Sequence, residues 1–514
     1  MARIAKQVIL ANTTFVAPAG CTALTLTPVV TNQILANPAW AQNVTAAIDA
    51  LGNVFTCGAS ASVGPTGILG NGGTTVQSSP VAVVGGYNFQ QLSIANTTAF
   101  GITTQGKLYG WGSNTNGQLG QGGVLPVSSP VAITSNLTFK KVIALYDGTS
   151  VTTTMIALAA NGTVYTCGAG PGGTLGNGAV TPISTPVAVA GTNKFVNIWA
   201  SRGTVYGLTA AGALYGWGYN DQGQLGVGTV VNTSSPVAVL GGLTFNGNVA
   251  LYPGASNGFG NIFAQATSGT WYAWGYNGYG LCGAGSGTIT GYSSPVAVLN
   301  SSSFATIVVS GGTQALGLTT AGQAYCWGSN TYGALGNNNI AVTGASSPIA
   351  VVGGLSFVQV AADDQYGTFY GLTAAGAGYA WGYNGYAQLG NGNSTSQSSP
   401  VAVSGGITFQ AIGYIPIGMG WGLSVQGQLY TWGSGQGSTA GNSGVGTPGG
   451  PGVTTTAWIG GFSNGPAQTL NAPVKVSVTP GTSYAVVINS QYVSFGTTSI
   501  QQKGASGLII EFEQ

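Results

Sequence analysis

Histidine is absent from the 514 residues, and only nine basic and seven acidic side chains are present. Charged residues make up 3% of the chain, against roughly 25% in an ordinary soluble domain. Ionic networks therefore cannot hold the fold together, and Ser, Thr, Asn, Gln and bare backbone must wet the surface. Lacking imidazole and short of carboxylates, the chain has almost none of the usual acid–base or metal-ligand groups, which argues against an enzyme and predicts neither a cofactor nor a metal. A net charge of +2, with Lys140 and Lys141 the one adjacent basic pair, gives no electrostatic footprint for nucleic acid. The five cysteines, Cys21, Cys57, Cys167, Cys282 and Cys326, show no C-x-x-C spacing. That excludes a zinc site of ordinary pattern and a dense disulfide framework, leaving buried thiols. No run of 18 apolar residues offers a membrane span. The start "MARIAKQVILANTTF" has too short an apolar stretch for a secretion signal.

What the chain does have is glycine, 90 residues of it, and 44% hydrophobic residues, among them 11 Trp, 23 Tyr and 16 Phe. That is ample for sizeable cores, so the low charge does not imply disorder. One phrase recurs at intervals of roughly 50 to 57 residues, within the range of propeller blades. Its anchor is an aromatic or cysteine followed by glycine, at Cys57, Trp111, Cys167, Trp217, Trp274, Trp327, Trp381 and Trp432, which makes eight units. After most anchors comes a loop such as "SNTNGQLGQG" or "YNGYAQLGNG", then "SSPVAV" or a near copy, at Pro80, Pro130, Pro186, Pro236, Pro295, Pro348 and Pro400.

Each unit offers three or four short strands. Alternation in "ALYGWG" sends Leu214 and Gly216 to one face and Tyr215 and Trp217 to the other, while "AAG" and "TQG" supply tight turns. A single such sheet cannot bury both faces, whereas sheets stacked around an axis bury them against neighbours and leave only short edges. The expected fold is all-β, a propeller plus a small β-domain built from both termini. Eight anchors against seven proline phrases leave seven or eight blades open, with eight preferred. The first unit, "VTAAIDALGNVFTCG", is shorter than the others, and a strand within Ala472–Val478 is a candidate to complete it.

The "LYGWGSNTNGQLGQG…SSPVAV" pattern resembles the regulator of chromosome condensation repeat family over about residues 38–470. The resemblance implies a β-propeller, usually of seven blades. The guanine-nucleotide exchange known for that family's best-studied member is not expected here, because it relies on polar and charged residues across one face, where these loops carry Asn, Gly, Tyr and Gln. Fold analogy alone transfers no function. The ends, "TTFVAPAGCTALTLT" and "VTPGTSYAVVI…FGTTS…GLIIEFE", resemble the start and finish of glycine-rich β-domains in bacteriophage tail fibres. The expected organisation is 1–36 as the first part of a base domain, 37–470 as the propeller and 471–514 as the rest of the base.

The strongest catalytic constellation available is Asp363 beside Asp364, with Asp221 or Asp147 as a distant partner. Adjacent residues on a strand face opposite ways, so a glycosidase pair is disfavoured and no catalytic residue is predicted; the expected role is turn capping. A calcium site there, needing about six to eight oxygens, is left open. Tyr219, Asn220, Tyr276, Asn277, Tyr279, Asn330, Tyr332, Tyr383, Asn384 and Tyr386 occupy equivalent places after the anchors and belong on one rim. Aromatic faces and amides suit sugar rings and hydroxyls without charge, so these are the candidate glycan-binding residues. The competing expectation has each Asn capping its own turn and each Tyr packed on a neighbouring blade.

The sequence thus predicts a noncatalytic adhesive protein on a virus particle, such as a bacteriophage tail fibre. Its partners would be other virion proteins at the base and a host polysaccharide or glycoprotein at the rim. A homo-oligomer is allowed, and no heptad enforces one. A bacterial surface adhesin is the alternative, and a polysaccharide depolymerase comes third.

Overall fold

The computed structural model describes strands at both ends and, with side chains, most of residues 44–433. Residues 434–473 lie outside this part, as do Cys21, Asp49, Asp147, Asp364 and the side chain of Cys57. The protein is all-β, and its centre is a β-propeller of eight sheets in chain order, seven of four antiparallel strands and a last one with three strands among the described residues. The eight anchors therefore correspond to eight blades. Blade 2 is representative, with strands Phe89–Ala95, Thr98–Thr103, Leu108–Gly112 and Val127–Ala132 from inside to outside. From blade 1 through blade 8, each innermost strand packs on that of the following blade.

Blade 1 completes itself locally. Ala39–Ala41 pairs with Val44–Ile48 as its fourth strand. The candidate closing segment goes elsewhere: Val474–Ser477 pairs with Ala23–Val29 in a sheet ordered Ile4–Ile9, Gly507–Glu513, Ala23–Val29, Val474–Ser477. A second sheet joins Thr13–Val16 to Ser483–Ile488, Tyr492–Phe495 and Thr498–Gln501. Both sheets thus combine strands from the two ends of the chain.

The repeated phrase works as an inter-blade latch. Each anchor indole is buried and donates its Nε1–H to a backbone carbonyl in the loop of the preceding blade: Trp111 to Ile68 at 2.8 Å, Trp217 to Thr174 at 3.1 Å, Trp274 to Gln224 at 2.8 Å and Trp327 to Leu281 at 2.7 Å. Trp381 and Trp432 do the same to Ala334 and Gln388, at 3.2 Å and 2.7 Å. Cys167 fills the slot in blade 3 and donates from Sγ to Gln118 O at 3.2 Å. Burial pushes the thiols of Cys167, Cys282 and Cys326 up in pKa, which makes them poor nucleophiles.

Two glycines per unit make the latch possible. The one after the anchor sits at a bulge against the outer strand with positive φ, as at Gly218 (φ 98), where a Cβ would lie 2.0 Å from Gly203 O. The other follows leucine in the loop and lies flat against the next indole. A Cβ on Gly226 would come within 2.7 Å of Trp274 Nε1.

Candidate functional site

The loops after the anchors are shaped by their asparagines. Asn220 Oδ1 accepts from Leu225 N at 2.8 Å, and its Nδ2 donates to Thr229 O at 2.8 Å and Val231 O at 3.0 Å. Asn277 and Asn384 repeat the scheme, accepting from Cys282 N and Leu389 N and donating nine residues ahead to Ser286 O and Asn393 O. Asn330 does likewise with Leu335 N and Asn339 O. All four are buried. The amides of Asn220, Asn277, Asn330 and Asn384 are thus spent holding their own loops, as the turn-capping expectation had it.

The tyrosines divide into two groups. Those two residues after the anchor, Tyr219, Tyr276 and Tyr383, are half-buried. Tyr219 is wedged between blades, where a Cβ on Gly172 of blade 3 would lie 2.7 Å from its ring and one on Gly203 would lie 2.3 Å away. It is packing first, as the competing expectation held. Tyr276 and Tyr383 lie back over their own loops at Gly278 and Gly385. Those five residues after the anchor include Tyr279 and Tyr332, each 53% exposed. Both adopt positive φ, 57° and 62°, a conformation that costs an ordinary residue about 1–2 kcal/mol. Blade 3 has Gly172 at the same place, with φ 64°.

At the seams of blades 3 and 4 and of blades 6 and 7, the five-after residue of one blade meets the two-after residue of the next. At the seam of blades 6 and 7 this brings Tyr332 to Tyr383, with ring centroids 4.6 Å apart. Tyr366 joins them at 5.2 Å from Tyr383, and Tyr386 completes a cluster at 5.4 Å from Tyr366 and 5.8 Å from Tyr383. Four of the seam's rings thus form one patch, three of them among the expected residues.

Sequence reasoning missed Tyr366, which depends on Asp363. That carboxylate is buried and accepts from Tyr366 N at 3.1 Å, Gly367 N at 3.0 Å, Thr368 N at 3.0 Å and the Ser310 hydroxyl. It caps the loop that presents Tyr366, in agreement with the turn-capping expectation. The available signal was the Asp-x-x-Tyr-Gly spacing. Among the described residues no group of three His, Cys, Asp or Glu side chains is placed to hold a metal, and no helix is long and apolar enough to cross a membrane.

Electrostatically the patch is neutral. Burial, then Tyr386, Tyr383 and Asp363, push the Tyr366 phenol up to about 12. Tyr383 is raised by burial and its tyrosine neighbours, and Tyr276 by burial and Tyr279. These phenols stay protonated and able to donate hydrogen bonds at any physiological pH.

The family model described as the regulator of chromosome condensation repeat matches residues 105–152, 211–249, 321–368 and 376–413, and a second model of the same description matches 81–118. The chain therefore carries repeats of this type. It is 32% identical over 193 residues to the mouse E3 ubiquitin-protein ligase HERC2, covering 36% of this chain and 4% of that protein. With the rat probable E3 ubiquitin-protein ligase HERC4 it shares 34% over 124 residues, covering 23% and 11%. The chain thus spans only a small part of these relatives. Similar solved structures include human WBSCR16, at TM-score 0.49 and 17% identity over 77% of this chain and 96% of that one. Yeast RCC1 (Prp20) bound to Kap60 gives 0.49 and 16%, over 74% and 87%.

Proposed function

From an array of regulator of chromosome condensation repeats forming a propeller, we propose a noncatalytic adhesive protein whose rim binds surface polysaccharide. The observation that carries this reading is the neutral cluster of Tyr332, Tyr366, Tyr383 and Tyr386. Its rings offer faces for sugar C–H groups and phenols for sugar hydroxyls. Tyr332 supports it further, since an exposed aromatic held at positive φ, where blade 3 has glycine, is costly for folding alone. The carboxylate beneath the patch is spent on loop capping, which gives no support to a hydrolytic pair.

The setting we propose is the surface of a virus particle, as in a bacteriophage tail fibre, with the sheets built from both chain ends as the mount to other virion proteins. The support for this is the resemblance of those ends to tail-fibre domains. Several similar loops on one rim suit a repeated polymer, where weak contacts add. The test is binding to an array of bacterial surface polysaccharides, wild type against Tyr332→Ala plus Tyr383→Ala, alongside copurification with intact particles. Loss of binding in the folded double variant is expected. Unchanged binding would move the site off this seam, and finding the protein in envelope fractions of uninfected cells would replace the virion with a bacterial surface.

A further inference from the structure

We infer that blade 4 carries an anion subsite, centred on the guanidinium of Arg202 in a turn that abuts Tyr219, that takes the acidic group of a charged polysaccharide. This rests on the polysaccharide reading above and adds the class of polymer.

The position is set by the fold. Ser201 pairs with Thr204, leaving Arg202 and Gly203 as a two-residue turn between the first two strands of the blade. This turn is the blade-4 counterpart of the loop that presents Tyr366. Thr204 pairs with Gly218 as Thr368 pairs with Gly382, and both turns abut the tyrosine two residues after the anchor, Tyr219 here and Tyr383 there. The blade-7 loop contributes a phenol to its patch, whereas the blade-4 turn contributes a cation.

Three observations make Arg202 more than a turn residue. Both turn residues have positive φ, 50° at Arg202 and 77° at Gly203, the pattern that favours Asn-Gly and disfavours a long side chain at the first place. A fold served only by the turn would do better with asparagine or glycine. Arg202 Nη1 is buried yet has no hydrogen-bond partner. A guanidinium does not deprotonate, so that N–H keeps its charge and its need for an acceptor. The acidic side chain of the same blade's rim loop is already engaged, because Asp221 Oδ1 accepts from Gln224 Nε2 at 2.9 Å.

A carboxylate or a phosphodiester fits this need. Each presents two oxygens to the guanidinium fork, which a neutral hydroxyl does not. The Tyr219 ring, held between Gly172 and Gly203, packs on the other residue of the same turn. Arg202 is the one arginine in the chain beyond Arg3, so a preference that needs the guanidinium fork should depend on this side chain.

The test measures binding to three polymers: a polyuronate, the same polymer after carboxyl reduction, and poly(glycerol phosphate). Wild type is expected to favour at least one anionic polymer over the reduced form by about tenfold, the scale of one charge-assisted hydrogen bond. Which anionic polymer it favours identifies the group as carboxylate or phosphate. Arg202→Gln should erase the preference and leave binding to the reduced polymer unchanged. Arg202→Gly should erase it too while unfolding at no lower denaturant concentration than wild type, because glycine relieves the turn. Equal binding of wild type to all three polymers, a preference that survives Arg202→Gln, or destabilisation by Arg202→Gly would each overturn the subsite and spare the polysaccharide reading. Binding to none of the three would remove both.

Discussion

The indole of Trp217 in blade 4 donates to the carbonyl of Thr174 in blade 3 at 3.1 Å, and its ring lies against Gly176 so closely that a Cβ there would sit 2.6 Å from Nε1. The same pairing of donor and bare backbone recurs at Trp111, Trp274, Trp327, Trp381 and Trp432. Six of the eight blades are therefore held to the one before by a buried indole hydrogen bond that needs both partners. Trp217→Phe should keep most of the ring and strand the Thr174 carbonyl, costing about 1–3 kcal/mol. Trp217→Ala should cost about 3–5 kcal/mol. Denaturant unfolding of the two variants checks the order, and equal losses would mean that the hydrogen bond contributes nothing beyond ring volume.

The glycine half of the latch separates backbone conformation from contact. Gly226 and Gly242 have similar φ, 70° and 61°, but a Cβ on Gly226 would strike Trp274 at 2.7 Å while one on Gly242 meets nothing within 4 Å. Gly242→Ala should lose about 1–2 kcal/mol from the left-handed conformation alone. Gly226→Ala should lose more, since the indole must shift from its hydrogen bond. Matching unfolding midpoints for the two would show that the indole slot yields without cost.

The propeller was legible because its instructions repeat: the anchor, the loop glycine and the proline phrase stand at the same spacing in copy after copy. The anchors favoured eight blades over seven without deciding between them, and the rim tyrosines followed from their offset to the anchors. The asparagines stood open between ligand contact and turn capping because residue type says nothing of where an amide spends its bonds; the buried partner nine residues ahead, as in Asn220 to Thr229, emerges only with the folded loop. Arg202 carried no signal in the sequence, and Tyr366 only the Asp-x-x-Tyr-Gly spacing. They sit in turns between the first two strands, which differ in length and sequence from blade to blade, so no register transfers from one copy to another.

Asp363 gives the protein a pH response in a chain with few titrating groups. Burial is the largest influence and raises its pKa above the ordinary carboxylate value, against the pull of four donated hydrogen bonds. The folded state therefore binds this proton more tightly than the unfolded chain. The resulting stability is fully present below the unfolded value of about 3.9 and is lost as pH rises through the folded value. Urea unfolding from pH 3 to 7 should show wild type losing stability relative to Asp363→Asn, which has nothing to titrate there. Parallel profiles would mean that the capped carboxylate ionises at its ordinary value.

Tyr332 sets folding against binding. Its φ of 62° is unfavourable for a tyrosine, and half of its surface faces solvent, so burial returns little to offset that cost. Gly172 at the equivalent position of blade 3 shows that the loop closes without a side chain. Tyr332→Gly should therefore relieve about 1–2 kcal/mol of backbone cost, set against the ring contact with Tyr383 at 4.6 Å, which is worth about 0.5–1.5 kcal/mol. Stability should be unchanged or slightly higher, while polysaccharide binding at the blade 6 and 7 seam falls. Thermal unfolding and an array measurement on the same preparation decide it. A marked loss of stability with binding intact would assign Tyr332 to packing, and the tyrosine patch would lose its most exposed member as a contact.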